Sequence, residues 1–118
     1  MEYTITADGD LLRASAWDRD TPQPPSQLCA AILAEANRLG LTRILLELKQ
    51  KVALSGVSQF HLIDKLPSLG ATPQHRIALV HHTPGFCEAN DMIDIVAGNR
   101  GLNVKNFPDL DSALAWLE

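Results

Sequence analysis

Apolar positions along the chain follow two periods, and the switches between them mark the elements. In "EYTITA" (Glu2–Ala7) and "LLRASAW" (Leu11–Trp17) polar and apolar residues alternate, as in half-buried strands. Asp8-Gly9-Asp10 lies between them, and a glycine among aspartates favours a tight turn, so the two runs predict a hairpin. "DRDTPQPPS" then breaks the pattern. Pro22, Pro24 and Pro25 cannot continue a strand ladder but are tolerated in a first helical turn. Leu28, Ala31, Ile32, Ala36 and Leu39 recur at helical spacing up to a stop at Gly40. "RILLEL" (Arg43–Leu48) and "RIALVH" (Arg76–His81) are short, nearly continuous apolar runs, as expected of strands covered on both faces. Between them, Val57, Phe60, Ile63 and Leu66 line one side of a helix from about Gly56 to Leu66, ended by Pro67 and Gly70. A third helix is predicted over about Cys87 to Arg100, with Ala89, Met92, Ile93, Val96 and Ala97 inward and Gly101 as its stop. "LNVKNF" is the last strand. Asp109 caps a final helix whose Leu110, Leu114 and Leu117 form one face.

The predicted order is ββαβαβαβα. Strands alternating with helices imply right-handed crossovers and an α/β fold: a five-stranded, mixed but mostly parallel sheet with four helices. At 118 residues, with no internal repeat or linker, the chain reads as one domain over 1–118. Apolar residues make up 46%, enough for a globular core. The formal net charge of −4 and the lack of a Lys/Arg run argue against a nucleic-acid partner. No apolar run reaches the length of a membrane span, and the N-terminus alternates from the start, unlike a leader peptide. Cys29 and Cys87 lie far apart, and Cys29 falls in an Ala/Leu-rich helical stretch. These features predict a reduced, cytoplasmic protein.

In a parallel α/β sheet ligands bind outside the carboxyl ends of the strands. That edge should collect Asp18–Thr21, Lys49–Ser58, His81–Glu88 and Phe107–Asp109. Helix N-termini there favour an anion, and Lys49 and Lys51 could add charge. The alternative is that both lysines are solvated and Ser55 is a plain helix cap. "HHTPGFCE" contains metal-ligand types, but neighbours on a strand point to opposite faces, so His81 and His82 do not converge. The pattern fits one buried and satisfied histidine beside a solvent-facing one. Ser55, His82 and Asp18 could meet at the edge, yet the glycine of "LSGVS" follows its serine, unlike a nucleophile elbow. No phosphate-loop, dinucleotide or zinc-protease motif occurs. No cofactor, metal site or catalytic residue is assigned.

Three stretches, "RILLELKQKVALSGVSQFHLIDKL", "RIALVHH" and "GNRGLNVKNFPDLDSALAWL", together with the element order, resemble the STAS-like family. Its members include bacterial anti-sigma-factor antagonists, and lipid-carrying CRAL-TRIO domains share the general architecture. The last stretch is similar to the C-terminal part of an uncharacterised bacterial branch. In phospho-switching antagonists the turn after the central strand reads Asp-Ser-Ser/Thr-Gly, the first serine being phosphorylated. Aligned on Gly56, Ser55 matches the second Ser/Thr, Leu54 takes the phospho-acceptor position and Ala53 that of the aspartate. The resemblance implies a non-catalytic regulatory domain that binds another protein, without the serine switch. The alternative is a carrier of a lipid-like or anionic metabolite, with a cavity lined by residues such as Leu62, Met92 and Val96. The binding candidates are Lys49, Lys51, Leu54, Ser55, Gly56, Ser58 and His82. A two-fold homodimer is expected, because few short helices leave part of the sheet uncovered.

A capping Ser55 gives the first prediction. Ser55→Ala should cost about 1 kcal/mol in denaturant unfolding and leave partner binding intact. Mass spectrometry of protein from its native host should find no substantial phosphate on Ser55 or Ser58.

Overall fold

The computed structural model describes residues 2–17, 25–49, 63–82 and 92–118. It is an α/β structure built on one five-stranded sheet. Strand β1 (Glu2–Asp8) pairs antiparallel with β2 (Leu11–Trp17) through a turn at Gly9 and Asp10. Gly9 takes φ 62° while Asp10 does not enter the left-handed region, which is the two-residue hairpin turn with glycine first. Helix α1 (Pro25–Leu39) crosses to β3 (Arg43–Lys49). A helical turn at 63–65 runs into a 3-10 helix, Leu66–Leu69, which leads to β4 (Arg76–His81). Helix α2 (Met92–Asn99), β5 (Asn103–Phe107) and helix α3 (Leu110–Leu117) complete the chain. The predicted starts of the second helix, from Gly56, and the third, from Cys87, lie outside the described residues.

The strands lie in chain order, β1-β2-β3-β4-β5, with β2 through β5 parallel. Right-handed crossovers that always advance in one direction put their helices on one face. The core divides accordingly. Leu12, Ala14, Ile44, Leu46, Ile77, Leu79 and Val104 meet α1, Ile63, Leu66 and α2 on the first face. Leu45, Ala78, Val80 and Phe107 meet Ala113 and Leu117 of α3 on the second. "RILLEL" and "RIALVH" are continuous apolar runs because α3 covers the reverse of β3 and β4. Leu28, Ile32 and Ala36 of α1 are buried as their spacing predicts. Leu39 is not: it is 39% exposed, and Leu33 is buried instead. The backbone turns at Gly40 (φ 71°), the N–H of Leu41 bonds the Ala36 carbonyl, and Leu41 packs against the core beyond the turn.

Polar ties hold the ends of the elements. The Asp109 carboxylate accepts from the Ser112 N–H at 2.7 Å, capping α3 as predicted. Arg76 donates to the Trp116 and Glu118 carbonyls, each at 3.2 Å, and so fastens the other end of α3 to the sheet. Trp116 stacks at a tilt on Phe107, centroids 5.5 Å apart. Arg100 pairs with Asp64 at 2.9 Å, joining the end of α2 to the turn at 63–65.

Gly70 ends the 3-10 helix at φ 108°, and a Cβ there would lie 2.8 Å from the Asn37 amide nitrogen. That nitrogen donates to the Gly70 carbonyl, and Asn37 Oδ1 meets His75 Nε2 at 3.2 Å. The Thr72 N–H donates to His75 Nδ1, so Nε2 carries the proton. Gly70→Ala should therefore destabilise by about 1–3 kcal/mol, through backbone strain and displacement of Asn37. Gly98→Ala, inside α2 with open space around it, should stabilise by up to about 1 kcal/mol. Urea unfolding of the two variants measures both.

Candidate functional site

The parallel register brings the carboxyl ends of β2 to β5 to one edge, and the described residues there fall into two groups. His81 and His82 end β4 on opposite faces, as alternation requires. The His82 N–H still bonds the Leu48 carbonyl at 3.0 Å, which keeps the strand direction through this residue.

His81 lies on the helix-covered face, 5% exposed. Its Nε2 is 2.5 Å from Asn106 Oδ1. Asp94, in the first turn of α2, accepts at Oδ1 from both the Asn106 N–H (2.8 Å) and its side-chain amide (3.0 Å). The carboxylate thus orients the Asn106 amide and turns its oxygen towards His81. Nε2 must then donate, and Nδ1 is left as an unprotonated acceptor. Nδ1 is buried and has no hydrogen-bond partner among the described residues. The expectation of one buried and one exposed histidine holds, but the buried one is satisfied at only one of its nitrogens. Burial holds the His81 imidazole below its ordinary range, against the opposing pull of Asn106 and Asp94. Ser55 and Cys87 lie outside the described residues.

The second group lies on the other face. Glu47 bridges Arg13 (3.5 Å) and His82 (3.2 Å). Register places Ser15 beside Glu47 and Trp17 beside Lys49. Helix α3 packs its apolar residues on β3 to β5, so among the described residues no helix covers this corner of the second face, from β1 to the end of β3. Lys49 and His82 are exposed and belong to this corner. Lys51, Leu54, Ser55, Gly56 and Ser58 lie outside the described residues. Among the described residues no group of three His, Cys, Asp or Glu side chains is placed to hold a metal ion.

The cavity test for a carrier falls partly on described residues. Val96 is buried against the first-face core, whereas Leu62 and the Met92 side chain lie outside the description. An open groove of about 300 Å³ lies at the opposite edge, between Asp8, Leu11, Arg43, Leu114 and Leu117. Cys29 packs against the first-face core, and burial pushes its thiol up to about 12. It is a half-buried residue with little thiolate character.

The His81 network escaped the sequence reading because its members are distant in the chain. One signal was available: strand alternation sets Asn106 on the same face as Val104, and a polar residue in an inward row needs a partner.

Compared with protein-family models, characterised proteins and solved structures, the chain matches none.

The buried histidines carry a pH dependence. His75 is also held below its ordinary range by burial. Their depressed folded pKa values mean that the unfolded chain binds protons first as pH falls. Stability is therefore unaffected by these groups above the unperturbed value of 6.5 and falls below it. The loss is at most about 1.4 kcal/mol per pH unit per histidine. Urea midpoints measured from pH 7.5 downwards should decline, and His81→Gln should reduce the slope.

Proposed function

We propose that the chain is a non-catalytic, STAS-like regulatory domain of the cytoplasm that docks another protein, without the serine switch of the anti-sigma-factor antagonists. The observation that supports this reading is the open corner of the second sheet face. Arg13, Ser15, Trp17, Glu47, Lys49 and His82 form a polar, half-exposed surface on rigid strands, with one indole among charged groups. Interfaces favour such a composition, because an aromatic anchor gives contact area and the surrounding charges give specificity. The replacement of the phospho-acceptor position by Leu54 supports constitutive docking.

The test is quantitative capture from the native host with the wild-type chain and with a Trp17→Ala/Lys49→Glu variant. A protein partner should be enriched by the first and lost by the second, while both give the same circular-dichroism spectrum. Equal capture by both would overturn the reading. A carrier is the second reading, favoured by the buried Nδ1 of His81, which has no partner among the described residues. A small molecule retained in native mass spectrometry and lost in His81→Leu would establish it in place of docking.

A further inference from the structure

The two edges of the sheet are not alike. At one edge, β5 has five residues, carries Lys105, and has its Asn106 N–H taken by the Asp94 carboxylate of α2. Charge, shortness and a covering side chain are the means by which sheet edges avoid pairing. At the other edge, β1 has seven residues in unbroken register with β2, without bulge or proline. Its interior, Tyr3 to Ala7, has no charge.

The hairpin fixes which backbone groups of β1 point away from β2. Only Gly9 and Asp10 separate the paired Asp8 and Leu11, so the turn closes on a hydrogen-bonded pair. Alternation then directs the N–H and C=O groups of Tyr3, Ile5 and Ala7 away from β2. The same three side chains lie on the helix-covered face, where Ile5 packs against the core and Tyr3 is 40% exposed.

We propose that β1 is a dimerisation edge: two copies of this chain pair their first strands antiparallel about a two-fold axis at Thr4, joining two five-stranded sheets into one. Side-chain pairing selects this register. Centring the pair on Ile5 would set Tyr3 against Ala7, whose methyl group covers little of the ring. Centring it on Thr4 sets position 2 against position 6. It also places Tyr3 of each copy opposite Ile5 of the other, in hydrogen-bonded pairs made by the outward-pointing backbone groups. Aromatic and β-branched residues stabilise each other in such pairs, and the two threonines meet on the axis. The exposed Tyr3 ring is then covered by the second copy. The interface is isologous, so it closes at two copies. It goes beyond the docking corner proposed above and is tested separately from it, since no captured partner is needed.

Sedimentation equilibrium in the micromolar range should give a mass rising towards twice 12.9 kDa. Thr4→Lys sets like charges on the axis and should shift the protein to monomer with an unchanged circular-dichroism spectrum. In a Cys87→Ser background, Thr4→Cys should cross-link to a disulfide dimer under mild oxidation, because the axial pair is the close, non-hydrogen-bonded kind. Thr6→Cys, which faces position 2 of the other copy, should not. A wild-type chain that stays monomeric at all concentrations overturns the proposal. So does a dimer unaffected by Thr4→Lys in folded protein, or cross-linking of Thr6→Cys as efficient as that of Thr4→Cys.

Discussion

The structure depends on how a sheet wound in a single direction gets its second face covered. Strands β3 and β4 are central and must be buried on both sides, yet the crossovers deliver their helices to one side only. Eight residues of α3 therefore form the second core with Leu45, Ala78, Val80 and Phe107. The capping of α3 by Asp109, the bonds from Arg76 to its last carbonyls and the packing of Trp116 on Phe107 all serve this cover. Loss of α3 would leave an apolar row in water on the two most buried strands.

The limited reach of α3 also determines what the sheet shows to solvent. Where α3 ends, the same face changes from apolar to polar: Leu45 is followed two positions on by Glu47, and Val80 by His82. Strand alternation is kept and only the chemistry changes. The carboxyl edge thus has an open, charged side at Glu47 and a closed side, where His81, Asn106 and Asp94 form a buried polar chain. Two adjacent histidines end in unlike environments because β4 is covered fully on one face and partly on the other.

Most of the fold was legible because each element carried its own local signal. The hairpin followed from Gly9 between aspartates, the central strands from their apolar runs, and α3 from Asp109 and its leucine spacing. Leu39 misled because helical period alone cannot say where a helix leaves the sheet. It continues the spacing of Leu28, Ile32 and Ala36 up to the Gly40 turn, yet Leu41, beyond the turn, is the residue that packs against the core. The candidate site was less legible. Its lysine and exposed histidine could be placed from strand ends, but the His81–Asn106–Asp94 chain joins residues of two strands and a helix, and only tertiary register brings them together. Local pattern carries no signal for such a set beyond one polar residue in an inward row.

The chain-order arrangement of the strands bears on how the molecule forms. Each strand from β2 onward pairs with the strand made just before it, so no pairing has to wait for a distant segment. Each of these pairings spans a single crossover, so the sequence separations stay near the least that a parallel sheet allows. During synthesis the sheet can grow one strand at a time, each new crossover helix docking on the face already present. The second face follows a different schedule. Its apolar row is complete only with Phe107, and α3 comes after it, so the last described element to form is the one that closes the core.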